Sequence, residues 1–171
     1  MKVHQDEVLG GVGSGFANLM NELPRERLIL AIGAIAACEG MIARTVKYVK
    51  ERSAFGQPIA SFQNTRFKLA DLEAQVRVNR AYIENCKEKY DRGALTAVDA
   101  SVAKLTTTEL QGKVADECLQ LFGGYGYMTE YPISRDFVDA RIQRIYGGTS
   151  EVMKEIICLL YTSPSPRDRT R

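Results

Sequence analysis

ERLILAIGAIAACEGMIARTVKYVKER, Glu26 to Arg52, contains no proline, is rich in helix formers and is apolar nearly all round in its first half. A helix with more than one apolar face is one packed among other helices. Pro24 stands just upstream, where its missing N–H suits a first helical turn. The stretch therefore predicts a long buried helix from about Pro24 to Arg52 and sets the rest of the chain around it.

Downstream, SAFGQPIA is broken by Gly56 and Pro58 and reads as a loop. From about Phe62 to Arg92, the residues Phe67, Leu69, Leu72, Val76, Val78, Tyr82 and Ile83 recur among many charges, the pattern of an amphipathic helix. A third helix is predicted from about Thr96 to Phe122, ending at GGYGY, where glycine can take the left-handed C-cap. Shorter helices are expected near Ile133 to Arg141 and Thr149 to Leu160. No alternating run is long enough to demand a sheet, so the expected fold is an all-α, up-and-down helical bundle over residues 16–160. Upstream, VHQDEVLGGVGSGFANLM reads as a short strand-like opening with a glycine-rich connector. Its glycine spacing from Gly11 to Gly15 is wrong for a dinucleotide fingerprint and suits a hinge. Residues 161–171, YTSPSPRDRTR, have no apolar periodicity and read as a disordered or foreign tail.

Composition narrows the chemistry. The 171 residues are 45% hydrophobic and 26% charged, as in a globular domain, with no unbroken apolar run long enough for a membrane span and no signal-peptide pattern at MKVHQDEV. The net charge of +2 comes from Arg167, Arg169 and Arg171 against Asp168 in the tail, which leaves 20 basic and 20 acidic residues in the body. A balanced body lacks the basic face that nucleic-acid binding requires. Cys38, Cys86, Cys118 and Cys158 are too widely spaced for a metal or redox motif. His4 is the one histidine, so zinc sites and Ser-His-Asp or Cys-His catalysis would have to rest on the extreme N-terminus, and no metal site is expected. Carboxylates remain as the acid-base groups.

The stretch RIYGGTSEVMKE, Arg144 to Glu155, sets Gly147 and Gly148 before a Thr-Ser-Glu helix start. It is either a tight turn capped by Thr149 or Ser150, with Glu151 favoured by the helix dipole, or a bare backbone lying under a ligand. The twelve residues alone leave both open.

Taken together, ELPRERL, ERSAFGQPIASFQ, QLFGGYGYMTEYPISRDFVDARI and IYGGTSEVMKEII resemble, in order, the C-terminal helical domain of the acyl-CoA dehydrogenases, over about residues 3 to 157. The resemblance implies an FAD enzyme that removes two hydrogens across the α,β bond of an acyl-CoA thioester and passes electrons to an electron-transfer flavoprotein. It implies a homo-oligomer, dimer or tetramer, in which a neighbouring subunit completes the FAD site, located in a bacterial cytoplasm or the mitochondrial matrix. It also implies that residues 1–15 are the end of an absent middle β domain and that the chain is a fragment. By resemblance, Arg52, Phe55, Gln63, Gln120, Gly123, Gly124, Thr149 and Glu151 are FAD-contacting positions. An arginine fork suits phosphate oxygens, and bare glycine lets backbone approach a cofactor. Tyr146, Gly148 and Arg27 match substrate-side positions, Arg27 more as an orienting group.

Many family members carry a glutamate at the position of Gly147, and that glutamate removes the α-proton. Long-chain and isovaleryl acyl-CoA dehydrogenases place it instead in the first turn of the long helix, where this chain has Glu26. Without the family context Glu26 is simply a first-turn carboxylate suited to the helix dipole. With it, Glu26 is the expected catalytic base, made more basic when thioester binding expels water. The alternative is a catalytically silent helical module that keeps the bundle for oligomerisation or partner binding.

Overall fold

The leading helix, α1, runs from Gly15 to Glu51, starting well before the predicted Pro24. Pro24 lies inside it, not at its first turn. Proline deletes one helical hydrogen bond, but the turns around it, from Phe16 to Glu22, are largely exposed, so the loss does not fall in the core. The computed structural model describes residues 4–162. The strand-like opening is corrected: its described part is a single 3-10 turn at Gln5–Glu7 followed by glycine turns, with Gly10, Gly11 and Gly13 at positive φ. Of the expected tail, residues 163–171 lie outside the described residues.

The loop after α1 carries a short pairing not read from the sequence. Strands β1 (Ser53–Ala54) and β2 (Gln57–Pro58) are antiparallel, with Ser53 opposite Pro58 and Ala54 opposite Gln57. Phe55 and Gly56 form the two-residue turn, at φ 52° and 80°. Positive φ at both central residues is the type I′ requirement, which Gly meets freely and Phe meets under strain.

Helix α2 covers Gln63–Asp91 and α3 covers Ala97–Phe122, each within a residue of its expected start. Thr96 begins α3 with a complete capping box: its hydroxyl accepts from the Asp99 N–H, and the Asp99 carboxylate accepts from the Thr96 N–H. Helix α4 spans Pro132–Ile142 and α5 spans Ser150–Cys158. Gly123 ends α3 at φ 60° and leads into a 3-10 turn through Tyr127.

Helix α3 packs against each of the other four helices, most extensively against α1. Ile35, Met41, Leu72, Val76, Ile83, Val114 and Cys118 meet in one core. Burying an Ile or Leu side chain contributes about 1.5–3 kcal/mol, whereas an exposed pair such as Glu73–Arg77 contributes at most about 1 kcal/mol. The core therefore holds the bundle. By length and composition α1 is long and apolar enough to cross a bilayer, although its apolar run is interrupted by charged residues. Its Leu28, Ala31, Ala34, Ile35, Cys38 and Met41 instead face the bundle interior. All four cysteines are free thiols, with Cys38, Cys86 and Cys118 buried and Cys158 exposed. Burial pushes the Cys38 thiol up to about 12, which leaves it unreactive at neutral pH.

Candidate functional site

α1, α3 and the connection between α4 and α5 converge about three turns into α1, so Glu26 is not the first-turn residue expected, because the helix begins at Gly15. Glu26 is exposed on one turn of α1, and the connection between α4 and α5 brings Tyr146 and Gly147 beside it. Glu26, Ile29, Leu30, Tyr146 and Gly147 line a cavity of about 300 Å³, a carboxylate at the rim of a mostly apolar cup. The backbone there tolerates only glycine comfortably. Gly147 has φ 65° and Gly148 φ 103°. A Cβ on Gly147 would stand 2.5 Å from Leu30 Cδ1, and one on Gly148 would stand 2.6 Å from Met153 Cε.

Two buried cations hold this turn. The Arg27 Nε donates to the Gly147 carbonyl at 3.3 Å, and the Lys104 ammonium donates to the Gly148 carbonyl at 2.7 Å. Arg27 is 6% exposed and Lys104, on α3, is 0% exposed. Burial pushes both below their ordinary values; the neighbouring Arg27 adds to the effect on Lys104, while Glu26 opposes the effect on Arg27. Arg27, expected beside substrate, is thus turned toward backbone. Thr149 caps α5 through a bond from the Val152 N–H, and the Ser150 hydroxyl donates to Glu109 at 2.6 Å. Glu151 is exposed in the first turn of α5, its carboxyl held low by its own backbone N–H and the Thr149 hydroxyl.

The other expected residues gather at the far end of α1. Arg52, Gln120, Gly123 and Gly124 line a second cavity of about 550 Å³ with Tyr48, Phe122 and Tyr125. Its wall is aromatic: Tyr48 stacks on Phe122 at 4.0 Å between ring centroids, and the Arg52 guanidinium lies 5.3 Å over the Tyr125 ring. Nothing lies within 4 Å of a Cβ built on Gly123 or Gly124, so bare backbone leaves a cradle that side chains would fill. Phe55 stands out from the hairpin turn, 97% exposed, and touches Phe62 edge-on. Gln63 is exposed at the start of α2, and neither it nor Phe55 lines this cavity.

The expected residues therefore fall into two groups that one chain does not bring together. The helix between Glu26 and Arg52 alone spans about 39 Å at 1.5 Å per residue. Sequence reasoning missed Lys104, Leu30 and the Tyr48–Tyr125 wall. For Lys104 a signal existed: it shares a helical face with Ala100, Thr107, Thr108 and Gln111, all buried.

A sequence profile described as the acyl-CoA dehydrogenase C-terminal domain matches residues 13–158. The chain is 47% identical over 165 residues to the mitochondrial long-chain specific acyl-CoA dehydrogenase of Mus musculus, covering 96% of this chain and 38% of that protein. It is 34% identical over 157 residues to the caffeyl-CoA reductase-Etf complex subunit CarC of Acetobacterium woodii, covering 92% and 41%. Among solved structures, the butyryl-CoA dehydrogenase of Megasphaera elsdenii superposes with a TM-score of 0.89 at 38% identity, over 94% of this chain and 42% of that one. The chain thus spans about two fifths of the length of these relatives. The profile runs unbroken through the helix bearing Glu26, the aromatic-walled cavity and the glycine turn, and the chain belongs to the acyl-CoA dehydrogenase family of FAD-dependent oxidoreductases, matching its C-terminal domain.

Proposed function

We infer that this chain supplies the proton-abstracting wall of an acyl-CoA dehydrogenase acting on long-chain acyl-CoA thioesters, with Glu26 as the base. One observation carries the reading: among the described residues, the only carboxylate lining the cup formed with Gly147 is that of Glu26. The family resemblance puts glycine at the position where many members carry the glutamate, and Glu26 lines the same cavity as that glycine.

The residues suit the parts this reading assigns them. Ile29, Leu30 and Tyr146 offer apolar surface to an acyl chain beside the carboxylate. An acyl chain seated there would exclude water from Glu26, leaving its carboxylate to take the α-proton. Arg27 and Lys104 hold the turn opposite it, which fixes the width of the cup. A bound FAD would supply the acceptor for the β-hydrogen, which leaves as hydride. At the other cavity, Arg52 offers a fork to phosphate oxygens, and Gly123 and Gly124 offer bare backbone beside Gln120; outside it, on the hairpin turn, the exposed Phe55 offers a ring edge to a planar group. Gln63, Thr149 and Glu151 stand as polar positions toward the same cofactor.

The separation between the two groups supports a homo-oligomer, dimer or tetramer, in which the Arg52 end of one copy meets the Gly147 end of another. Similarity to the A. woodii Etf-complex subunit supports an electron-transfer flavoprotein as acceptor. Similarity to the mouse mitochondrial enzyme supports the mitochondrial matrix, or the cytoplasm of a bacterium.

The test is anaerobic mixing of the complete FAD-loaded protein carrying this chain with saturated short-, medium- and long-chain acyl-CoA. Rapid bleaching of the flavin, fastest with the long chain, is the expected result. A protein that no saturated acyl-CoA bleaches contradicts the reading.

A further inference from the structure

Among the described residues Lys104 is the largest fully buried side chain. A buried ammonium is costly unless paired or hydrogen-bonded. Among the described residues, neither Lys104 nor Arg27 forms an ion pair with a carboxylate. Their hydrogen bonds go to consecutive backbone carbonyls, Arg27 to Gly147 and Lys104 to Gly148. Those carbonyls belong to the two residues whose positive φ angles are unfavourable for any other side chain.

The arrangement joins three elements at one point. Arg27 is the residue next to Glu26, so its bond ties the Glu26 turn of α1 to Gly147. Lys104 ties α3 to the next peptide, whose other end is the N–H of Thr149, the cap of α5. Charge-assisted bonds to carbonyls are stronger and shorter than neutral ones, and the 2.7 Å Lys104 bond has that length. With the Gly148 carbonyl released, a two-glycine turn has many backbone states open to it. The peptide opposite Glu26 would then drift.

We propose that Lys104 is a positioning residue for the Glu26 site: its buried ammonium pins the Gly147–Gly148 turn and so sets the distance between the Glu26 carboxylate and the carbon it deprotonates. The inference rests on the reading of Glu26 as the base. It assigns Lys104 no contact with substrate or FAD. Its effect is on alignment, so it should appear in the chemical step and not in binding.

The test uses the complete flavoenzyme carrying this chain, with wild type, Lys104→Met and Lys104→Gln compared by single-turnover flavin bleaching at saturating and subsaturating acyl-CoA. Methionine keeps the bulk and removes donor and charge; glutamine keeps a shorter neutral donor. Misplacing a reacting group by about 1 Å costs on the order of 100-fold, so the limiting rate in Lys104→Met is expected to fall by about that factor. The acyl-CoA concentration for half-saturation is expected to stay within about twofold, because ground-state binding is untouched. Lys104→Gln is expected to recover part of the rate, and it carries the comparison alone if the methionine variant fails to assemble with FAD. A wild-type limiting rate in the FAD-loaded fraction of either variant would overturn the inference, even if melting temperature falls, because that pattern is purely structural. Absence of bleaching in wild type would instead remove the reading beneath it.

Discussion

Gly148 shows how much of the site is decided by single backbone angles. At φ 103°, with Met153 Cε 2.6 Å from where a Cβ would stand, Gly148→Ala must both strain the chain and displace a buried methionine. Left-handed backbone costs an L-residue about 1–2 kcal/mol before any steric term. A melting temperature lowered by about 3–8 °C is expected for the variant. Gly33 supplies the opposite sign. It is exposed inside α1, its φ is helical, and nothing lies within 4 Å of a Cβ built on it. Gly33→Ala is expected to raise stability by about 0.5–1 kcal/mol, since alanine loses less entropy on entering a helix. A thermal melt of both variants reads both signs, and a stabilised Gly148→Ala would show that the turn is not held as described.

At the scale of the element, the start of α3 is the most exactly specified feature of the bundle. Burial alone would push the Asp99 carboxyl up, but the Lys89 ammonium at 2.7 Å and the bonds from the Thr96 hydroxyl and N–H outweigh it and hold the group below its ordinary value. A carboxyl held low in the folded state contributes stability that is complete above the unfolded pKa of about 3.9. That contribution is lost as pH falls through the lower folded value. Asp99→Asn is therefore expected to cost stability at pH 7 and to flatten the acid limb below about pH 4, in urea melts across pH. An equal loss at pH 3 and pH 7 would contradict the ion-paired cap. Thr96→Ala is expected to cost about 1 kcal/mol.

Much of the bundle was legible in the sequence: the helical spacing of apolar residues locates the starts of α2 and α3 to within a residue, and at α3 that start coincides with the Thr96–Asp99 cap. Pro24 misleads because its chemistry suits a first turn, while the turns before it are helical with little buried face to reveal them. The Phe55–Gly56 hairpin was hidden because phenylalanine is an unusual residue for positive φ. Glu26 and Gly147 could be paired from motifs, whereas Lys104 carried only the weaker signal of sharing a helical face with Ala100, Thr107, Thr108 and Gln111, and its bond to the Gly148 carbonyl appears only when the α4–α5 turn docks on α3.

Taken whole, the molecule leaves apolar side chains uncovered, among them a run where the chain enters α1. Leu9, Val12, Phe16 and Leu19, in the glycine turns and the first turns of α1, are all more than half exposed. Burial against a second copy would remove that apolar area from water. Self-association at micromolar concentration is expected by light scattering, and weakening it is expected from Phe16→Ser with Leu19→Ser. A clean monomer for the unmodified chain would contradict that expectation. Self-association would also bear on the proposed site, because Glu26 and Arg52 stand about 39 Å apart along α1 and one copy alone does not bring their two cavities together.

If the base comes from the long helix and not from the glycine turn, Glu26→Gln in the complete FAD-loaded enzyme removes it. The amide keeps the shape of the side chain and cannot accept a proton. Single-turnover bleaching by long-chain acyl-CoA is expected to slow by about 10²–10⁴-fold, the usual contribution of a general base, with flavin content unchanged. Bleaching at the wild-type rate in that variant would contradict the account and return Gly147 and Gly148 to an ordinary turn between two helices.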